Sequence, residues 1–126
     1  MKYTDIKTLE DAYASRGLKR EEEVPFANPS NDRQIATNSA FDIMVLVEAI
    51  NEGEKPDFDS GEYWHEIWWR MRSKAAGGPG FSYHDCGYGS SFSRVGARLL
   101  FIDSARAMYA GKNFPEVFEP FMTFPK

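Results

Sequence analysis

Between Glu62 and Arg72 the chain reads Glu-Tyr-Trp-His-Glu-Ile-Trp-Trp-Arg-Met-Arg, and this stretch limits the fold more firmly than any other. Aromatic and branched side chains at that density favour extended backbone, because in a helix they lose rotamer freedom against the preceding turn. Alternation then places Tyr63, His65, Ile67, Trp69 and Met71 on one face. It places Glu62, Trp64, Glu66, Trp68, Arg70 and Arg72 on the other. The first set is the expected core side. Such a strand needs partner strands and a covering layer of helices.

The following sequence supplies both partners. Ala75 to Gly80 is a glycine-rich turn, Phe81 to Cys86 a second expected strand, and Gly87, Gly89, Ser90, Ser91 and Ser93 mark a loop. Val95 to Ile102, with Leu99, Leu100, Phe101 and Ile102, is the third expected strand. Short connections make the sheet an antiparallel meander.

Helical spacing governs the rest. Thr8 and Asp11 resemble a capping box, and Leu9, Ala12 and Tyr13 predict a helix from Thr8 to Arg16, stopped at Gly17. Lys19-Arg20-Glu21-Glu22-Glu23 leads into Pro25 and Pro29 as a solvated loop. Ser30 is the expected N-cap, through its side-chain oxygen, of a buried helix whose stripe is Ala36, Ala40, Ile43, Met44, Val47 and Ile50 and which ends at Asn51-Glu52-Gly53. Asp103 or Ser104 caps a last helix carrying Ala105, Met108 and Tyr109. Pro115 either kinks that helix or opens a new one capped by Asn113. The expected fold is α+β: a three-stranded antiparallel meander with N-terminal helices and a C-terminal helix packed on one face, over a single domain of residues 1–126.

Composition agrees with a packed domain. Ten Phe, six Tyr and three Trp in 126 residues fill a small core efficiently. A net charge of −4 counts against a protein built around phosphate backbones. Cys86, the single cysteine, has no partner for an internal disulfide. The longest apolar run, Ile43 to Val47, is far too short to span a membrane, and the first residues lack a signal peptide's apolar stretch. The expected location is cytoplasmic.

Several short stretches, in order, carry a resemblance. They are Asn51-Glu52-Gly53, Lys55-Pro56-Asp57-Phe58, Glu62-Tyr63, Gly80-Phe81, Val95-Gly96-Ala97-Arg98-Leu99 with Phe101, and Tyr109-Ala110-Gly111-Lys112 with Phe114. From about Ala49 to Phe114 the chain resembles a family of small proteins of unknown function encoded in phages and prophages of gut bacteria. That family usually carries Trp at the positions of Glu54 and Phe58, and its last helix runs without an internal proline. The resemblance implies a phage or prophage origin and assigns no catalytic residue.

Candidate chemistry is sparse. His65, His84, Asp85 and Cys86 lack the paired spacing of zinc ligands. His84 and Cys86 fall on one face of a strand, but two residues without an orienting third do not make an activated nucleophile. Gly77-Gly78-Pro79-Gly80 lacks the Lys and Ser/Thr of a phosphate loop, Gly87-Tyr88-Gly89-Ser90-Ser91 is an equally poor match, and Asp57 and Asp59 are turn formers. Arg98 is expected to pair with Glu66 or Asp85 across the sheet.

Trp64, Trp68, Arg70 and Arg72 remain as the binding candidates, because Trp and Arg dominate binding hot spots. Three readings of that face stand. A helix or long side chains cover it; it meets a protein partner or a second copy; or it stacks the bases of a single-stranded nucleic acid. Glu62 and Glu66 on the same face weigh against the last. The sequence reading is therefore a non-enzymatic phage or prophage accessory protein. It binds a host or phage protein, with no metal, no cofactor and no membrane, and the alternative is a single-stranded nucleic-acid or nucleotide binder.

Overall fold

Helix α3, Asp32–Ile50, organises the structure, a computed structural model that describes residues 2–72, 74, 80–90 and 93–125. Its cap is Asn31 and not Ser30: the Asn31 side chain accepts from the Gln34 N–H at 3.0 Å, while Ser30 donates its backbone N–H and its hydroxyl to Gln34 Oε1. Ile43, Leu46, Val47 and Ile50 form its buried stripe. Glu52 and Gly53 then take left-handed backbone at φ 54° and 85°, and the Gly53 N–H closes on the Glu48 carbonyl.

Helix α1, Leu9–Ser15, carries the expected capping box between Thr8 and Asp11. Its Tyr13 donates to Asp42 Oδ1 of α3 at 2.7 Å. Burial, and then this bond to Asp42, push the Tyr13 hydroxyl above the usual tyrosine range. The charged run that follows is not a loop. Arg20–Glu23 forms the one-turn helix α2, because Arg20 grips both Asp42 oxygens at 2.9 and 3.0 Å and draws the segment onto α3.

The extended ribbon is present, but the meander is not. Strands β1, Trp64–Arg70, and β2, Ser82–Gly89, pair antiparallel, and among the described residues they make the whole sheet. The register runs from Trp64 opposite Gly89 to Trp68 opposite Asp85, then jumps to Trp69 opposite Tyr83. His84 is the extra residue of a bulge. In place of a third strand over Val95 to Ile102, Gly96 turns at φ 76° and residues Ala97–Leu99 wind into a 3₁₀ turn.

Only Phe101 bridges to β1, exchanging two hydrogen bonds with His65 at 2.8 and 2.7 Å. The outer side of this one-residue bridge is met by a side chain. Asn51, just past α3 and 2% exposed, donates to the Leu100 carbonyl at 2.8 Å and accepts from the Ile102 N–H at 3.1 Å. Its amide satisfies the groups a neighbouring strand would have taken. The class remains α+β, with a two-stranded ribbon instead of three strands.

Helix α4, Ser104–Asn113, is capped by Asp103, and helix α5, Pro115–Met122, begins at Pro115. Asn113 does not cap α5; its side chain donates back to the Tyr109 carbonyl. Arg106 joins α4 to the end of α3 through the Ile50 carbonyl at 2.9 Å and through Glu52, and it pairs with Asp103 at the start of its own helix. The middle of the ribbon's odd face, Ile67 and Trp69, packs here, whereas Tyr63 and Met71, expected on the core side, are exposed. Trp69 lies between Phe81 and Phe118, ring centroids 4.7 and 4.9 Å away, and the Tyr83 ring abuts Gly111 of α4. Phe101 and Phe114 lie fully buried beside Ile43, Leu46 and Ile50.

Candidate functional site

The even face of β1 is half covered. Trp64, 4% exposed, and Glu66, 8% exposed, lie under the segment 93–100, while Trp68 keeps 39% of its surface open. Trp64 is therefore a buried side chain and not half of an open aromatic pair. The cover is the very segment that failed to extend β-pairing, with Leu100 buried at its end.

Glycines on β2 make room above the ribbon. The register sets Gly89 opposite Trp64 and Gly87 opposite Glu66. A Cβ at Gly87 would stand 2.4 Å from Trp68 Cζ2, so the indole crosses β2 where that strand has no side chain. Folded back in this way, Trp68 Nε1 donates to Glu66 Oε1 at 3.4 Å. Arg94 reaches the same oxygen at 3.8 Å and sets its guanidinium 5.4 Å from the Trp68 ring centroid. Among the described residues, Glu66 Oε2 and Trp64 Nε1 are buried with no hydrogen-bond partner. A cavity of about 330 Å³ opens between Trp64, Glu66, Trp68, Ser93, Arg94 and Leu100.

Arg70 is exposed and donates to the Tyr83 carbonyl across the ribbon at 2.8 Å, and Arg72 is exposed past the strand end. The structure thus brings Trp68 and Arg70 to one open surface with Arg72 beyond, and withdraws Trp64. Arg98 does not pair across the sheet. It is exposed on the 3₁₀ turn, and the arginine that meets Glu66 is Arg94. That residue follows Ser93, whose hydroxyl accepts from the Val95 and Gly96 N–H groups at 3.1 and 3.0 Å. This turn was a readable signal that the chain bends before residue 96.

The expected alignment of His84 with Cys86 is undone by the bulge. His84 is exposed, whereas Cys86 turns inward against the core opposite Ile67. The hydroxyl near Cys86 is that of Tyr83, which burial, then Cys86 and Asp85, push up to about 12. His65, opposite Tyr88, is held below its ordinary value by burial, with Asp103 acting in the other direction. Among the described residues no three His, Cys, Asp or Glu side chains converge as metal ligands. The glycine turn from Ala75 to Pro79 lies outside the described residues.

A second, larger cavity of about 910 Å³ lies between Met71, Phe81 and the end of α5, with Ile35 and Phe124 on its rim. Among the described residues no helix is long and apolar enough to cross a membrane. No family model, no curated protein and no solved structure matches this chain.

Proposed function

We propose that this chain acts without catalysis, as a phage or prophage accessory protein that binds a host or phage protein through the open half of the β1 face. The contact centres on Trp68, with Arg70, Arg72 and Arg94 around it. The observation that carries this reading is the state of Trp68. Its indole is 39% exposed, yet fixed over Gly87 by contact and against Glu66 by a hydrogen bond. A large ring already held in place loses little rotamer entropy on binding, which is how indoles become hot spots. Trp64 supports the surface from beneath instead of touching the partner.

Capture from host lysate tests the reading, comparing wild type, Trp68→Ala and an Arg98→Ala control. The expected result is a protein retained by wild type and Arg98→Ala and lost from Trp68→Ala. The same proteins on all three baits would overturn it.

One observation favours a second reading. Arg70, Arg72 and Arg94 are all exposed around an open indole, the arrangement that stacks a base and neutralises phosphates. A single-stranded oligonucleotide that quenches Trp68 at low salt and releases it as salt rises would replace the protein partner with nucleic acid.

A further inference from the structure

We propose that the cavity between Trp64, Glu66 and Trp68 is a binding site for an organic cation, a guanidinium or an ammonium group, and that Arg94 is a built-in competitor at its mouth. The source of the cation, a partner's Arg or Lys side chain or a free small molecule, is the one part that rests on the function proposed above.

The carboxylate is the first ground. Glu66 is 8% exposed, and a buried carboxylate is ordinarily paired or fully hydrogen-bonded, because desolvating its charge is costly. Here both contacts fall on Oε1 and both are long, 3.4 Å from Trp68 Nε1 and 3.8 Å from Arg94 Nε. Among the described residues, one oxygen of this buried carboxylate, Oε2, is left with no donor.

The second ground is the aromatic wall. Two indoles flank Glu66 on the same face of β1, and one already carries a cation, with Arg94 5.4 Å from the Trp68 ring centroid. Arg94 is a weak occupant. Its side chain is 79% exposed, so the pair it makes is screened and easily displaced. A cation that entered the cavity would take the same ring and carboxylate with less water around it, where both attractions are stronger.

Size and the remaining polar group agree. A volume of about 330 Å³ accommodates a substituted guanidinium or a quaternary ammonium group. Trp64 Nε1 is a buried donor with no acceptor among the described residues, suited to a carbonyl carried by the same ligand.

The test is a calorimetric titration of the full chain with methylguanidinium, with tetramethylammonium, and with a short end-blocked peptide whose one charged group is an arginine. The same peptide with citrulline in that position, equal in shape and uncharged, is the control. Saturable binding of at least one cation and none of the citrulline peptide is expected. Arg94→Ala tightens binding by about two- to fivefold, the scale of an exposed ion pair, and Glu66→Gln weakens it by about tenfold or more. If Glu66→Gln does not fold, Trp68→Leu at the half-exposed position must abolish binding instead. No saturable binding to either wild type or Arg94→Ala overturns the proposal, as does equal binding of the arginine and citrulline peptides.

A free cation bound while the peptide is refused supports the site and removes the protein partner. A lysate protein captured through Trp68 while all cations fail removes the site and leaves the partner.

Discussion

The indole of Trp68 occupies the space above Gly87 that any side chain there would fill, with Cζ2, Cε2 and Nε1 standing 2.4, 2.6 and 2.8 Å from where a Cβ would be. The two residues lie on adjacent strands, and the contact fixes the indole against Glu66. Gly87→Ala must therefore move Trp68. Because that ring is partly open to solvent, it swings outward, at an expected stability cost of about 1–3 kcal/mol. Chemical denaturation and tryptophan emission check this together. A lower midpoint with a red-shifted spectrum is expected, and an unchanged spectrum would place the indole elsewhere.

Gly111 makes a sharper case of the same kind. Helix propensity alone favours alanine there by about 1 kcal/mol. A Cβ at Gly111, however, would meet Tyr83 Cδ1 at 2.2 Å and Cγ at 3.1 Å, so the half-buried ring would have to shift between α4 and β2. Overpacking costs about 1–3 kcal/mol, so the clash outweighs the propensity. Gly111→Ala is expected to lower the denaturation midpoint, and a stabilised variant would mean that α4 stands farther from the ribbon.

Asn51 replaces a β-strand with one amide. Asn51→Ala leaves the Leu100 carbonyl and the Ile102 N–H unpaired, and the expected loss is about 2–4 kcal/mol. Asn51→Asp keeps an acceptor for Ile102 but turns a carboxylate toward the Leu100 carbonyl, and is expected to be at least as damaging. Thermal unfolding of both variants measures this. An aspartate variant near wild-type stability would contradict the assigned amide orientation.

His65 gives the fold a pH dependence of known sign. Burial lowers its pKa from the ordinary 6.5, with Asp103 opposing. As pH falls through that ordinary value, the unfolded chain takes up a proton that the folded chain still refuses, so stability falls; below the folded value the loss stops growing. At neutral pH and above, the full stability is present. Unfolding followed between about pH 7.5 and 5.0 should show a steeper decline for wild type than for His65→Gln. Equal slopes would mean that His65 titrates normally.

Much of this architecture was legible in local patterns. Thr8 with Asp11, the apolar stripe from Ile43 to Ile50, and Asp103 ahead of α4 are signals carried by residues within a few positions of one another, and each placed its helix. A strand within residues 62–72 follows from side-chain type in the same way, but its expected core face is realised only in part: Ile67 and Trp69 are half-buried against the core, Tyr63 and Met71 are exposed, and Trp64 and Glu66 of the opposite face are buried. Val95 to Ile102 misled because its apolar run is a core insertion. Leu100 and Phe101 are buried by helices and bridged at one residue, and the amide that replaces a strand comes from Asn51, some fifty positions away in sequence. No periodicity encodes that.

The face of Trp64 and Trp68 was half legible for a related reason. Alternation placed both indoles and Glu66 together correctly. What covers Trp64, and which arginine reaches Glu66, depends on how the segment 93–100 folds back. Arg98 is the expected partner only where that segment is a strand; because it turns at Gly96, Arg94 takes the position. The bulge at His84 is equally non-local, and it separates His84 from Cys86.

In the proposed site, the Glu66 cavity and its neighbouring indoles accept a cation in place of Arg94. The most direct measurement is a nitrogen-resolved NMR titration with methylguanidinium, following the three indole N–H signals and the Arg94 Nε–H. Shifts in Trp64 and Trp68, a release of Arg94 toward its free position and a silent Trp69, which packs on the opposite face, are the predicted result. Unmoved Trp64 and Trp68 signals, or a Trp69 shift as large as theirs, would contradict it.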